Sequence, residues 1–107
     1  MNWLSWFASE SKLVQLADRL AAKCQEQVWR LVQQQALVMS PAEARGYVRA
    51  RAGLIVKHTV ETELASARRL APASERLRDL TTEQVVRLVG AQLRAVRPAT
   101  RSLRRVA

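Results

Sequence analysis

Apolar residues in this chain recur at steps of three and four over two long stretches and one shorter one. From Glu10 to Val38 the set Leu13, Leu16, Ala17, Leu20, Cys24, Val28, Leu31 and Val38 falls on one helical face. Lys12, Gln15, Arg19, Lys23, Glu26, Arg30 and Gln33 take the opposite side. Nothing interrupts the period, and Ser9 stands where an N-cap belongs, so the pattern predicts a first helix over about 10–38.

Ser40-Pro41-Ala42-Glu43 is the sharpest local signal. Serine at the cap, proline at the first helical position and glutamate at the third together satisfy orphan amides and complement the helix dipole. A second helix is expected over 41–70, ending before Pro72. The short turn at 39–40 predicts a long antiparallel hairpin with the first helix. In this second helix Ala44, Val48, Ala52, Ile55 and Thr59 form one stripe, with Tyr47 and Leu54 beside it. Val56, Val60 and Leu64 are expected towards the back. A helix apolar on two sides is usually central in its bundle or covered by another copy.

After Pro72 the segment 73–80 reads as a connector with one or two helical turns capped by Ser74. Thr81-Thr82-Glu83-Gln84 resembles a second capping box and predicts a third helix over 82–97, stopped by Pro98. Val85, Leu88, Val89, Leu93 and Val96 are its apolar stripe, with Arg87 and Arg94 outside. Residues 98–107 read as a loose basic tail. The fold class expected is therefore all-α: a long antiparallel helical hairpin plus a third helix, a small three- to four-helix bundle. It forms a single helical domain over 1–97, followed by the basic tail.

Composition narrows the chemistry. The chain has 107 residues, 18 basic and 9 acidic, for a net charge of +9. One cysteine and one histidine exclude a disulfide scaffold and a four-ligand Cys/His zinc site within one chain, and three glycines leave no Gly-rich phosphate loop. The charge is graded. Residues 1–40 hold 4 basic and 3 acidic groups, residues 41–71 hold 6 and 3, and residues 72–107 hold 8 and 3. Arg87, Arg94, Arg97, Arg101, Arg104 and Arg105 concentrate that excess at the C-terminal end, where they are candidates for non-specific binding of a polyanion such as nucleic acid or an acidic membrane surface. A helix-turn-helix reading needs a tight turn at 79–81. Its recognition helix is mostly valine and leucine, which read base edges poorly.

Candidate nucleophiles and ligands are few. His58 with Glu61 one turn later could offer two ligands or a base–carboxylate pair, but a lone histidine flanked by Tyr47, Leu54 and Ala65 is expected as a packed side chain. Cys24, between Leu20 and Val28, is expected to behave as a small hydrophobe. No catalytic residue, metal site or cofactor is expected, and the chain reads as a non-enzymatic protein.

The aromatic residues say more. Trp29 lies off the first helix's apolar stripe, among Asp18, Gln25 and Gln33. Trp3, Trp6 and Phe7 cluster before the helix. Such surface is covered by the chain's own N-terminal arm, by a protein partner, or, for the arm alone, by a membrane interface. Gly46, Ala50 and Gly53 make a stripe of small residues on the second helix. Two glycines there cost about 1 kcal/mol each against alanine, which points to close approach by another backbone. The expected function is a small helical protein–protein interaction module, self-associating or docking to a hetero-partner through Trp3, Trp6, Phe7, Trp29, Gly46, Ala50 and Gly53. The initial apolar run is too short for a secretory signal and no run is long enough to span a bilayer, so a cytoplasmic protein is expected.

Overall fold

A computed structural model describes the backbone of residues 2–65 and 73–106 and the side chains of residues 10–65 and 73–96. It contains three α-helices: α1 (Asn2–Ala36), α2 (Pro41–Ala65) and α3 (Ser74–Val106). There is no strand among the described residues. Each helix packs on both others, so one all-α core is shared by three elements.

The buried side chains follow a spacing of four. Leu16, Leu20, Cys24, Val28, Val32 and Ala36 form the row on α1, joined by Leu13, Ala17 and Ala21. Ala44, Val48, Ala52, Val56 and Val60 form it on α2, and Leu77, Thr81, Val85, Val89 and Leu93 on α3, with Val86 beside them. A step of four residues overshoots a turn of 3.6, so such a row winds about 40° round the helix at each step. Rows at this spacing are the ridges that pack into grooves between globular helices, in contrast to the heptad seam of a coiled coil.

That winding corrects the expected faces. On α1 the row continues from Val28 to Val32 and Ala36, which leaves Leu31 at 51% and Val38 at 76% exposure. On α2 the row carries Val56 and Val60 into the core, while Ile55 and Thr59 are only half-buried. An apolar set that winds round a helix has no single greasy face, which is why α2 reads as apolar on two sides.

Three element boundaries also differ from expectation. Helix α1 begins at Asn2 rather than after Ser9, because nothing between them breaks a helix. Helix α3 begins at Ser74, so the expected connector is its first two turns and no turn exists at 79–81. Thr81 is not a cap. It is fully buried, and its hydroxyl donates to the Leu77 carbonyl at 2.7 Å, which satisfies the one polar group it brings into the core. The helix also continues through Pro98 to Val106. Proline deletes one intrahelical bond at a cost of about 3 kcal/mol, and Ala99, Arg101, Leu103, Arg104 and Arg105 after it are good helix formers. The side chains of the expected tail lie outside the described residues. So do residues 66–70, where α2 was expected to end.

The Ser40 signal is realised as read. The Ser40 amide donates to Glu43 Oε1 at 3.1 Å and the Glu43 amide donates to Ser40 Oγ at 3.3 Å. Before it, α1 unwinds through bonds from the Val38 amide to the Gln35 carbonyl and from the Met39 amide to the Ala36 carbonyl, both 3.2 Å. Ser40→Ala should therefore cost about 1 kcal/mol in chemical denaturation. Donation from the Ser40 amide, then from the Ser40 hydroxyl, holds the Glu43 carboxyl below its ordinary value. A carboxyl depressed in the folded state supports folding above its unfolded pKa of about 4 and loses that support as pH falls through the folded value. Glu43→Gln should flatten the acid limb of a stability–pH profile and leave the chain stable at neutral pH. An unchanged acid limb would mean that the reciprocal cap does not persist in solution.

Candidate functional site: an arginine-rimmed groove

Two ion pairs between helices position α3. Arg76 donates to Glu10 Oε1 on α1, through Nη2 at 2.6 Å and Nε at 3.1 Å. Arg49 on α2 grips Glu83 with both nitrogens: Nη2 lies 2.8 Å from Oε2 and 2.9 Å from Oε1, and Nε lies 3.2 Å from Oε2. Both partners are about half exposed, so this fork sets geometry more than stability. Farther along, Gln25 Nε2 on α1 donates to Gln92 Oε1 on α3 at 2.9 Å. Glu10–Arg76 and Gln25–Gln92 advance together along both helices, so α1 and α3 run in the same direction.

Between α2 and α3 lies a groove of about 530 Å³. Its floor is Ala44 and Val48 from α2 and Val86, Gly90 and Leu93 from α3, with Pro41 at one end. Arg45 and Arg49 stand on the α2 wall, Arg87 and Arg94 on the α3 wall, and the Arg49–Glu83 fork crosses at one end. Arg45, Arg87 and Arg94 are exposed, and none has an ion pair among the described residues. Long arginine stems are apolar and the heads are wet, so the rim is both greasy and cationic.

Among the described residues, no tight contact requires Gly90 in this floor. A Cβ built on it would meet only Arg94 Nη1, at an ordinary 3.6 Å. The other two glycines are freer still, with nothing within 4 Å of a Cβ at Gly46 or Gly53. Gly46 and Ala50 are exposed on the outer face of α2, Gly53 is half-buried at its edge, and Leu54 beside them is 71% exposed. Among the described residues, no close backbone contact accounts for that stripe.

The remaining expected site residues fall as follows. Trp29 is half-buried and packed against the core, on the flank of α1 that carries Gln25 and Gln33, so the chain itself covers part of the ring. The side chains of Trp3, Trp6 and Phe7, and those of Arg97, Arg101, Arg104 and Arg105, lie outside the described residues. Arg87 and Arg94 meet in the groove with Arg45 and Arg49, two residues that sequence reasoning missed. Their i, i+4 spacing was visible, but their place opposite α3 depends on how α2 packs.

Chemistry beyond the groove is sparse. The buried Cys24 thiol donates to Thr59 Oγ1 at 3.4 Å, which ties α1 to α2 and leaves the sulfur out of reach of solvent. His58 and Glu61 are both exposed, so the imidazole is not the packed side chain expected. No group of three His, Cys, Asp or Glu able to hold a metal ion occurs among the described residues. No helix among them is long and apolar enough to cross a membrane. No protein-family model, curated protein or solved structure matches the chain.

Proposed function

We propose that this chain is a small non-enzymatic helical interaction module that self-associates through the outer face of α2. The observation that carries this reading is the face itself: Gly46, Ala50 and Gly53 in one stripe with an exposed Leu54, and none of the described residues over either glycine. Glycine inside a helix is costly, and a smooth strip beside a leucine suits the close approach of a second helix. A single helical domain built on an antiparallel α1–α2 hairpin goes with this reading. The four-residue connection 37–40 and the Cys24–Thr59 bond support it. A reduced, buried thiol is in keeping with the cytoplasm.

Light scattering after size-exclusion chromatography tests the reading. The protein should run as a discrete oligomer, and Gly46→Leu or Gly53→Leu should convert it to a monomer. A Cβ at either position meets none of the described residues within 4 Å, and helix propensity improves, so the thermal midpoint of the separated chain should hold or rise. A wild-type monomer at every concentration, or an oligomer indifferent to both leucines, overturns it.

A second reading is favoured by one observation, the gathering of Arg45, Arg49, Arg87 and Arg94 round a single groove. On this reading the cationic groove binds a polyanion without sequence preference, and nucleic acid would co-purify at low salt and leave at high salt. The absorbance ratio at 260 and 280 nm of the same preparations reads it.

A further inference from the structure

Each buried row leaves an opposite row on its helix, two residues out of step with the core. Two residues turn a side chain by about 200°, so these rows face outward. On α2 the outward row is Ala42, Gly46, Ala50, Leu54, His58 and Thr62, and all six are exposed. It carries no Lys, Arg, Asp or Glu. The corresponding rows of the other helices are charged: α1 shows Asp18, Glu26 and Arg30 to solvent, and α3 shows Glu75, Asp79, Glu83 and Arg87. With 25% of the chain charged, an outermost row without charge points to contact rather than to water. The row is also graded in size. Ala42, Gly46 and Ala50 make a small half, and Leu54, His58 and Thr62 a larger one. Reversing one copy against another sets each larger side chain over a smaller one.

We infer that α2 pairs with α2 of a second copy, antiparallel about a two-fold axis between Ala50 and Leu54, and that His58 is a contact of this interface. Leu54 then covers Ala50 of the second copy, and His58 covers its Gly46. A closed dimer uses the same patch twice, so the patch must match itself, and this row does so only when reversed. Parallel pairing sets Gly46 on Gly46 and His58 on His58, with a void at one end and crowding at the other. Rows at a spacing of four cross at about 50°, so contact centres on Gly46 to His58 and fades at Ala42 and Thr62. Charge fits the same register. Reversal brings Glu61 beside Arg45 of the second copy; both are exposed and neither has an ion pair among the described residues. Lys57 comes near Arg49, whose guanidinium is already held by Glu83. On the other flank Arg51, stacked over the Tyr47 ring at 5.2 Å, comes near its own copy. That repulsion and the short contact of one helix pair, against the roughly 1,200–2,000 Å² of a standard interface, make the dimer a weak one.

This register rests on the reading of α2 as the self-association face and adds which residue meets which. The full chain with single introduced cysteines tests it, since the one native thiol, Cys24, is buried. Chains carrying Gly46→Cys and chains carrying His58→Cys are treated with a short bismaleimide, each alone and then mixed. Alone, neither should cross-link, because like positions stand about 18 Å apart along the antiparallel axes. Mixed, they should give a covalent dimer of one chain of each kind, seen by mass spectrometry. Sedimentation equilibrium reads the charge pairing. Glu61→Arg should weaken dimerisation at least about threefold, and Arg45→Glu/Glu61→Arg should restore it. Thermal melts of each variant separate loss of contact from loss of fold. Cross-linking of Gly46→Cys to itself and of His58→Cys to itself, with none between them, would overturn the antiparallel register. Equal yields in all three preparations, or a folded double variant no better than Glu61→Arg alone, would overturn it as well. In each of these cases an oligomer that Gly46→Leu still disrupts leaves the α2 reading standing, whereas a chain monomeric at every concentration brings down both.

Discussion

Leu77→Ala is expected to destabilise the protein by about 3 kcal/mol, although Leu77 lies in a segment that the sequence presents as a connector. Its side chain is completely buried in the shared core, at the start of the α3 row that continues through Thr81 and Val85. Truncating a buried leucine loses the transfer free energy of the removed carbons and leaves a void that neighbours fill only in part, which together cost about 2–5 kcal/mol. Solvent-exposed positions in a connector change stability by no more than about 0.5 kcal/mol. The two pictures are therefore well separated. Urea unfolding followed by circular dichroism should show a lower midpoint with little change in slope. A shift within about 0.5 kcal/mol would mean that residues 74–80 do not belong to the core.

A second large effect is expected from enlarging a small core residue. Ala52 has no exposed surface and occupies the middle of the α2 row, between Val48 and Val56. Ala52→Leu must push α2 away from its neighbours or force side chains off their rotamers, at a cost of about 1–3 kcal/mol. Ala65→Leu is the matching control, since Ala65 is exposed on the same helix and lies outside the small-residue stripe. The same leucine there should leave unfolding of the protomer within about 0.5 kcal/mol of wild type. The contrast tests whether the helices close on alanine. Equal effects at the two positions would show that α2 is rotated from the orientation described.

The comparison of sequence with structure turns on particular residues. Ser40 and Glu43 were legible because a capping box is local: its donors and acceptors lie within four residues of one another. Thr81 and Gln84 have the same spacing and make no cap. Whether a threonine begins a helix or is buried within one depends on what packs over it, and here the core does. Pro98 shows the same limit, since its local cost is real but a helix can continue past it. Leu31 and Val38 were assigned to the core by an average period. The actual row advances by four, which one helix read alone cannot distinguish from a mixed step of three and four.

The candidate site divides in the same way. Arg87 and Arg94 stood out because they lie in the most basic third of the chain. Arg45 and Arg49 looked like solvated surface charge on another helix, and only the packing of α2 on α3 makes the four one rim. The small-residue stripe was visible as Gly46, Ala50 and Gly53, but a sequence cannot say whether a stripe faces its own bundle. The structure leaves it open.

By itself, the sequence determined an all-helical chain, the start of α2 and an excess of positive charge that grows towards the C-terminus. These follow from periodicity, capping and composition, which act over a few residues or are simple counts. Tertiary structure decided that the segment before Thr81 belongs to α3, that the core rows step by four, and that arginines from two helices share one groove. Those outcomes depend on which side chains are buried together, a property of all three helices at once.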